Sequence, residues 1–395
     1  MLKGKCVVLG VTGSIAAYKI ANLASALVKL GADVNVIMTK NATNFINPIT
    51  FETLTSNKCL VDTFDRDFKF NVEHVALAKR ADIFMVAPAS ANVIGKMAHG
   101  IADDMLTTTI LAAKCKKLVS PAMNTNMFTN PIVQDNLEIL KKYGFEIIQP
   151  ASGYLACGDT GAGKMPEPEV LLQYILREIA FDHDLDGKKV MITAGPTQEA
   201  IDPVRYISNH STGKMGYAIA RAAMLRGAEV TLVSGPVAIQ PPMFVDVVNI
   251  KSAAEMAEAV KSRAGEMDII IKSAAVADYR PATVAAEKIK KKDGEASSIE
   301  LERTEDILSY LGANKKPGQF ICGFSMETEN MLENSKAKLK KKNVDMIVAN
   351  NLRTAGAGFG TDTNVVTLIT ADDARELPIM SKDDVAQAIL DEIVK

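Results

Sequence analysis

Asn209, His210, Ser211, Thr212 and Lys214 crowd the start of a small-residue helix read over Gly213 to Ala223, after an apolar strand (Val190 to Ala194) and a polar loop. Free backbone N–H groups and the helix dipole at such a point suit an anionic group; a capped helix under a solvated loop is the plainer alternative. The ATPase pattern GxxxxGK[ST] is not met, because Ser208 stands where Gly is needed and Met215 where Ser or Thr is needed. Lys338 and Lys342, four apart, share a helix face, and with Lys288 they could hold a triphosphate. Most other lysines of 288–292 and 336–342 read as solvated. Asp278, at a strand end, could accept from a base or ribose, or help position magnesium.

A second set lies earlier. Gly10 to Ser14 ends a strand and opens a helix, with glycines at 10 and 13, so GxGxxG is absent and a single phosphate fits better than a pyrophosphate. Ser90 and Asn92 open a later helix in the same way, with an N-cap as the alternative. His74, one of four histidines, stands at the start of a short helix-like segment and reads on its own as a satisfied core residue. Asn124 and Met127 belong to PAMNTNMF, a turn or a contact. Cys157 lies in the Gly-rich stretch Ser152 to Met165, which reads as a flexible loop long enough to be a lid.

The elements that must position these residues are short β-branched runs alternating with helices, which favour a parallel sheet covered on both faces. Five runs come first: Lys5 to Gly10, Asp33 to Met38, Ile83 to Ala87, Lys117 to Val119 and Phe145 to Ile148. Their carboxyl ends, where such sheets bind ligands, carry Gly10 to Ser14, Thr39, Ala87 to Ser90 and Ser120 to Asn124. Glu167 to Ala180 reads as a closing amphipathic helix, and the polar stretch 181–187 as a boundary. Seven further runs follow: Lys188 to Thr193, Glu229 to Val233, Val245 to Ile250, Asp268 to Ile271, Gln319 to Gly323, Val344 to Ala349 and Val365 to Ile369. Helices between most of them predict a second, Rossmann-like parallel sheet.

At 395 residues, 48% of them hydrophobic, the chain is comfortable as two folded α/β domains. A net charge of -2 gives no global attraction to nucleic acid or anionic lipid. No apolar run approaches a membrane span, and the first residues have no signal-peptide layout, so a cytoplasmic location is expected. Five cysteines without CxxC speak against a disulfide framework or structural zinc.

GVTGSIAAYK, His74, APASANVIGKMAHGIADDML, PAMNTNM and ACGDTGAGKM together resemble the flavin-dependent phosphopantothenoylcysteine decarboxylases of coenzyme A synthesis. The resemblance implies a flavodoxin-like domain over 1–181. It implies FMN contacted by Gly13, Ser14, Thr39, Ser90, Asn92 and Met127, and trimer-based assembly with sites between subunits. It also implies oxidation of the substrate thiol toward a thioaldehyde, loss of carbon dioxide, and return of the enethiol to the thiol. His74 then takes a proton, Asn124 holds the carboxylate and Cys157 donates the closing proton. Lys164 stands where Arg is expected, which keeps the charge and loses the planar fork.

ITAGPT, IDPVRYISNHSTGKMGYAIA, AAVADYRP, EKIKK, GFSMETEN and KKNVDMIVAN resemble the phosphopantothenate-cysteine ligases over nearly all of 188–393, which implies a ligase domain over 187–395. Decarboxylase before ligase is the order of the bacterial bifunctional enzymes. The implied reaction uses CTP and Mg²⁺ through an acyl-cytidylate, displaced by the amine of cysteine. Asn209 contacts the acyl phosphate, Arg205 supports the cysteine-dependent half, and Lys288 neutralises developing phosphate charge. Asp278, Phe324, Lys338 and Lys342, with the backbone of Lys272, Ser273 and Ala274, cradle the nucleotide; Lys272 replaces an expected small residue. Some relatives activate with ATP, and no protein ligand of the metal is implied. Ligase dimers joined to decarboxylase trimers are expected. A flavin electron carrier fused to a nucleotide module would have no need of His74, PAMNTNM and a cysteine lid together, and a peptide-cysteine decarboxylase leaves the second half without purpose.

Overall fold

The computed structural model describes residues 1–64, 73–154, 158, 160–290, 298–327, 331–351, 358 and 360–395. Two compact units divide the chain, Met1–Phe181 and Asp182–Lys395.

In the first unit the β-branched runs become β1 (Cys6–Val11), β2 (Asp33–Met38), β3 (Ile83–Ala89), β4 (Lys116–Pro121) and β5 (Phe145–Ile147). They form one parallel sheet in the order β2-β1-β3-β4-β5, with Cys6 opposite Asp33 and Val7 opposite Ile83. This is the flavodoxin-like order, whose direction reverses between β1 and β3. Every residue of β1 and β3 is buried, as expected where helices cover both faces. Those helices are α1 (Ile20–Lys29), α2 (Pro48–Thr55), α3 (Glu73–Arg80), α4 (Ala91–Ala98), α5 (Met105–Ala112), α6 (Thr125–Phe128), α7 (Pro131–Lys142) and α8 (Pro168–Ile179). Leu77, Ile94, Leu106 and Leu140 pack with Phe84 and Val119 of the sheet in one core cluster. Between β1 and α1 the chain first makes a 3₁₀ turn, Ile15–Lys19, where a direct strand-to-helix step was expected.

The stretch Ser152 to Met165 is not wholly a loop. Its described part forms the antiparallel pair β6 (Ala151–Tyr154) and β7 (Thr160–Lys164); Cys157 lies outside the described residues. The glycine content that reads as flexibility answers to close approach instead. The N–H of Met123 donates to the carbonyl of Gly163 at 3.1 Å. Gly163 has φ +135°, and a Cβ there would fall 2.3 Å from the Met123 carbonyl oxygen.

The second unit repeats the logic at larger scale. Its strands are β8 (Lys189–Ala194), β9 (Gln198–Ala200), β10 (Tyr206–Ser208), β11 (Glu229–Ser234), β12 (Asp246–Asn249), β13 (Ile269–Lys272), β14 (Tyr279–Pro281), β15 (Leu301–Arg303), β16 (Phe320–Glu327), β17 (Met346–Asn351), β18 (Thr363–Asn364), β19 (Val366–Ile369), β20 (Ala374–Glu376) and β21 (Met380–Ser381). The main sheet runs β12-β11-β8-β13-β16-β17-β19-β20. Its first six members are parallel in Rossmann order, reversing between β8 and β13. The run at Val365 to Ile369, expected in a parallel sheet, pairs antiparallel with β17, and β20 pairs antiparallel with β19. A parallel return needs a crossover, usually helical, and no helix occurs among the described residues between β17 and β19.

Helices α9 (Lys214–Leu225), α10 (Ala253–Ala264), α11 (Ile307–Ala313), α12 (Met331–Lys342) and α13 (Lys382–Ile393) cover this sheet. Arg226, 4% exposed, closes the unit. Its guanidinium donates to Asp184 near the start of the unit (Nε to Oδ1, 2.8 Å) and to Asp391 in α13 (2.7 Å), while its carbonyl accepts from the N–H of Leu185.

Candidate functional site

The first unit opens a cleft of about 680 Å³ above the β1/β3 switch point. Thr12, wholly buried and outside the cleft lining, ties the strand ends there: its Oγ1 donates to the Pro88 carbonyl (2.6 Å) and accepts from the N–H of Ser90 (2.9 Å). That one hydroxyl joins the ends of β1 and β3. Ser14 caps the 3₁₀ turn by accepting from Ala16, and Ser90 caps α4 by accepting from Val93. Gly13, Ser14, Ser90 and Met127, expected at the flavin, and Asn124, expected at the substrate carboxylate, line this one cleft.

Thr39, Asn92 and His74 are not part of that lining. Thr39 is buried at the end of β2, its Oγ1 accepting from Ala42; Asn92 is exposed on α4, and His74 is half-buried in the first turn of α3. Asn124 caps α6, its Oδ1 accepting from Asn126 at 2.8 Å, which fixes the amide so that its N–H₂ end is the donor. Lys19 and Glu167 also line the cleft, paired at 2.7 Å, with Lys164 3.6 Å from the same carboxylate. Lys19, by hydrogen bond and charge, holds the Glu167 carboxyl below the usual range. The apolar walls of Ile15, Tyr18, Met123 and Met127 beside hydroxyls and a helical-turn N-terminus fit a planar aromatic ring system with a phosphate tail.

In the second unit a cleft of about 400 Å³ collects Lys272, Asp278, Phe324, Lys338 and Lys342 from β13, the loop after it, β16 and α12. Lys342 pairs with Asp306, the N-cap of α11, and donates to Ser309 at 2.7 Å. Burial opposes the charge on Asp306, and Lys342 together with the N–H of Ser309 and the charge of Lys272 outweighs it, holding the carboxyl below its ordinary value. Lys338 reaches Ser325 at 3.5 Å. Burial lowers the pKa of Lys272, with Lys338 and Lys342 adding repulsion and Asp306 and Asp278 opposing it. Among the described residues the Lys272 ammonium makes no hydrogen bond or ion pair, although its backbone is part of β13.

Ser273 and Ala274 are turned to the sheet, bonded to the carbonyl and Oγ1 of Thr193 at 2.6 and 3.2 Å. Ser273 and Phe324 also line a small neighbouring cavity at the N-terminus of α9, with Gly213, Lys214, Asn350 and Lys382. Asn209 donates to the Ala275 carbonyl at 2.9 Å, which holds it beside the nucleotide loop. Lys288 is exposed and outside both linings.

Asp202 is the residue that sequence reasoning missed here. Its carboxylate accepts from the N–H groups of Val204 and Arg205 (both 2.8 Å), from Arg205 Nε (3.0 Å) and from the N–H of Ile289 (3.1 Å). Arg205, followed by these backbone donors, holds Asp202 far below the ordinary carboxylate range. The only signal in sequence is an acid three residues before Arg205.

Residues 1–180 match the Flavoprotein family, and residues 185–395 match the family described as DNA/pantothenate metabolism flavoprotein C-terminal domain. The coenzyme A biosynthesis bifunctional protein CoaBC of Bacillus subtilis is 49% identical, the match covering 100% of this chain and 97% of the relative. The chain belongs to this bifunctional coenzyme A biosynthesis family. The Escherichia coli member is 43% identical, over 100% of this chain and 97% of its own. A solved CoaBC C-terminal domain is 46% identical, covering 54% of this chain and 97% of that one, with a TM-score of 0.47. As a family member the chain is a bifunctional phosphopantothenoylcysteine decarboxylase and phosphopantothenate-cysteine ligase, and its first half is a flavoprotein domain.

Proposed function

We propose that residues 187–395 join cysteine to 4'-phosphopantothenate through an acyl-cytidylate made with CTP, and that residues 1–181 decarboxylate the product with FMN. The observation that carries this reading is the cleft gathering Lys272, Asp278, Phe324, Lys338 and Lys342, three cations with an acid and an aromatic ring. Such a set suits a nucleoside triphosphate.

The substrate has a carboxylate at one end and a phosphate at the other. Its carboxylate must meet the nucleotide α-phosphate, so its own phosphate reaches into a neighbouring space. The cavity at the N-terminus of α9 shares Phe324 with the nucleotide cleft, and helix amides there favour an anion. Asn209, held at Ala275, lies where the acyl phosphate forms; Arg205 orients the cysteine-dependent half, and Lys288 closes on the phosphates. Among the described residues no group of three or more His, Cys, Asp or Glu is arranged to hold a metal ion, so Mg²⁺ is taken to enter on the nucleotide phosphates.

In the decarboxylase, bound FMN supplies two-electron redox chemistry. Gly13, Ser14, Thr39, Ser90, Asn92 and Met127 would hold it, His74 takes a proton, and Asn124 retains the substrate carboxylate through its amide N–H. Cys157 returns the last proton. Ile15, Tyr18, Met127 and Tyr154 are 56, 57, 48 and 73% exposed at the cleft, and His74, Thr39 and Asn92 lie off its lining. Both features support completion of the decarboxylase site by a second copy, within trimers; the ligase half is taken to pair as dimers. Free thiols at Cys6, Cys59, Cys115 and Cys322 support a cytoplasmic location; among the described helices none is long and apolar enough to cross a membrane.

Mass spectrometry of the products from 4'-phosphopantothenate, cysteine, CTP and Mg²⁺ tests the scheme. Formation of 4'-phosphopantetheine, CMP and pyrophosphate is expected, with ATP a poor replacement. Equal turnover with ATP would overturn the nucleotide assignment. Normal turnover by Cys157→Ser would overturn the role of the lid thiol.

A further inference from the structure

Lys382, the first residue of α13, is 6% exposed, and its ammonium donates to the backbone carbonyls of Gly358 (3.0 Å) and Thr361. Among the described residues no carboxylate lies within ion-pair distance of it: Asp362 pairs with Lys214 at 2.7 Å, the adjacent Asp383 faces Arg221 at 3.6 Å, and Asp384 accepts from the Ser381 hydroxyl. A charge buried this way is costly unless a partner compensates it. Desolvation lowers its pKa, Lys214 lowers it further, and Asp362 opposes the shift only in part.

The cavity that Lys382 lines lies over the first turn of α9, with Gly213, Lys214 and Gly216 on one side and Asn350 on another. Asn350 is also 6% exposed, and its Oδ1 is buried with no hydrogen-bond partner. An unsatisfied amide oxygen, an unpaired ammonium and helix N–H groups therefore face one small space. A phosphate monoester meets all three demands: its anionic oxygens accept from Lys382 and the helix, and its remaining P–OH donates to Asn350.

We propose that Lys382 is the residue by which the ligase selects the phosphorylated acid, its ammonium being neutralised by the phosphate of the incoming substrate. This rests on the placement of that phosphate at α9 argued above. Lys382 does not touch the reacting carboxylate, so it is a specificity determinant and not a catalytic residue. Its bonds to Gly358 and Thr361 hold the ammonium in place; they do not replace the missing anion.

The test is calorimetric binding of 4'-phosphopantothenate, of pantothenate and of CTP to the full chain, wild type and Lys382→Met. Loss of a charge-assisted hydrogen bond predicts at least a ~10-fold weaker Kd for 4'-phosphopantothenate, with the Kd values for pantothenate and CTP within about twofold, by the same principle, since neither meets Lys382. Preference for the phosphorylated acid would then shrink by the same factor. Lys382→Gln keeps a donor for the two carbonyls without the charge and gives the same answer if Lys382→Met does not fold. A variant that keeps the wild-type preference, or weakens both acids alike, overturns the proposal. A wild type that does not distinguish the two acids overturns the phosphate placement itself.

Discussion

Arg205 donates from Nη2 to the carbonyl of Ile289 at 3.1 Å, one residue beyond Lys288. Asp202 completes the link by accepting from the N–H of that same Ile289 and from the Arg205 guanidinium. Two residues proposed for different halves of the ligase reaction are thus parts of one tied structure, although 83 positions separate Arg205 from Lys288 in sequence.

Asp202→Asn turns an N–H₂ toward groups that already donate. Ligase kcat/KM should fall by roughly 100-fold through misplacement of Arg205 and Lys288, while decarboxylation of supplied phosphopantothenoylcysteine is unchanged. Steady-state assays of the two half-reactions check this; equal loss in both would mean a general folding defect.

The same carboxylate predicts a pH signature. Because its folded pKa lies below the unfolded value of about 3.9, its stabilising effect is full above that value and is lost as pH falls through the folded pKa. Melting curves of wild type and Asp202→Asn should therefore differ by a constant amount from pH 5 to 8, about the range over which the group stays ionised in both states, and converge only in stronger acid.

Lys272 gives a signature at the other end of the scale. Its lowered pKa means that part of its charge is lost below the ordinary lysine range, and phosphate binding restores it. Nucleotide affinity should weaken as pH rises from neutral toward 10, roughly the ordinary lysine value. Lys272→Met should flatten that slope and, with one charged contact gone, weaken binding at neutral pH by about 10-fold. The groups around it, Asp306, Lys338, Asp278 and Lys342, remain in both proteins.

Gly163→Ala forces a side chain into a left-handed backbone and against the Met123 carbonyl. The β6–β7 pair must lift from the Met123–Asn124 turn. Decarboxylation should drop at least ~10-fold, the scale of strain of about 1–3 kcal/mol, with flavin absorbance of the purified protein retained. Loss of flavin as well would place Gly163 in the cofactor site itself.

Thr12→Val keeps shape and removes two buried hydrogen bonds between β1 and β3. Stability should fall by about 1–3 kcal/mol, measured by chemical denaturation, and flavin occupancy should fall with it. Unchanged stability would show that the strand ends are held elsewhere.

Each of the twelve runs read from sequence overlaps a strand, because short β-branched runs bounded by Gly and Pro have few alternatives. Asp33–Met38 matches to the residue, whereas Gln319 to Gly323 extends to Glu327, and the short strands β6, β7, β9, β10, β14, β15, β18, β20 and β21 were not read. Strand direction was less legible. Val366–Ile369 has the same apolar pattern whether it runs with or against β17, and only the connection decides. The hairpin at Ser152 to Met165 was hidden because glycine permits mobility and tight packing equally. At the sites, residues next to distinctive spacing were readable: Ser14, Asn124, Lys338 and Lys342 lie on cleft walls. Thr12 and Lys382 were not, since each acts through partners 76 or 24 positions away; Asp202 has only the local mark of an acid three residues before Arg205, and its tie to Ile289, 87 positions on, has none.

Arg226 gathers Asp184 and Asp391, so the second unit begins and ends at one buried guanidinium. A fold whose two ends meet asks little of what is attached to it: a neighbour can be added at one terminus without threading the sheet between. Joining two consecutive enzymes then requires only a short connecting segment, and each keeps its own stability. The same seam is a point of weakness, because removing the last turns of α13 would leave Arg226 half-neutralised inside the unit and open it where the chain both enters and leaves.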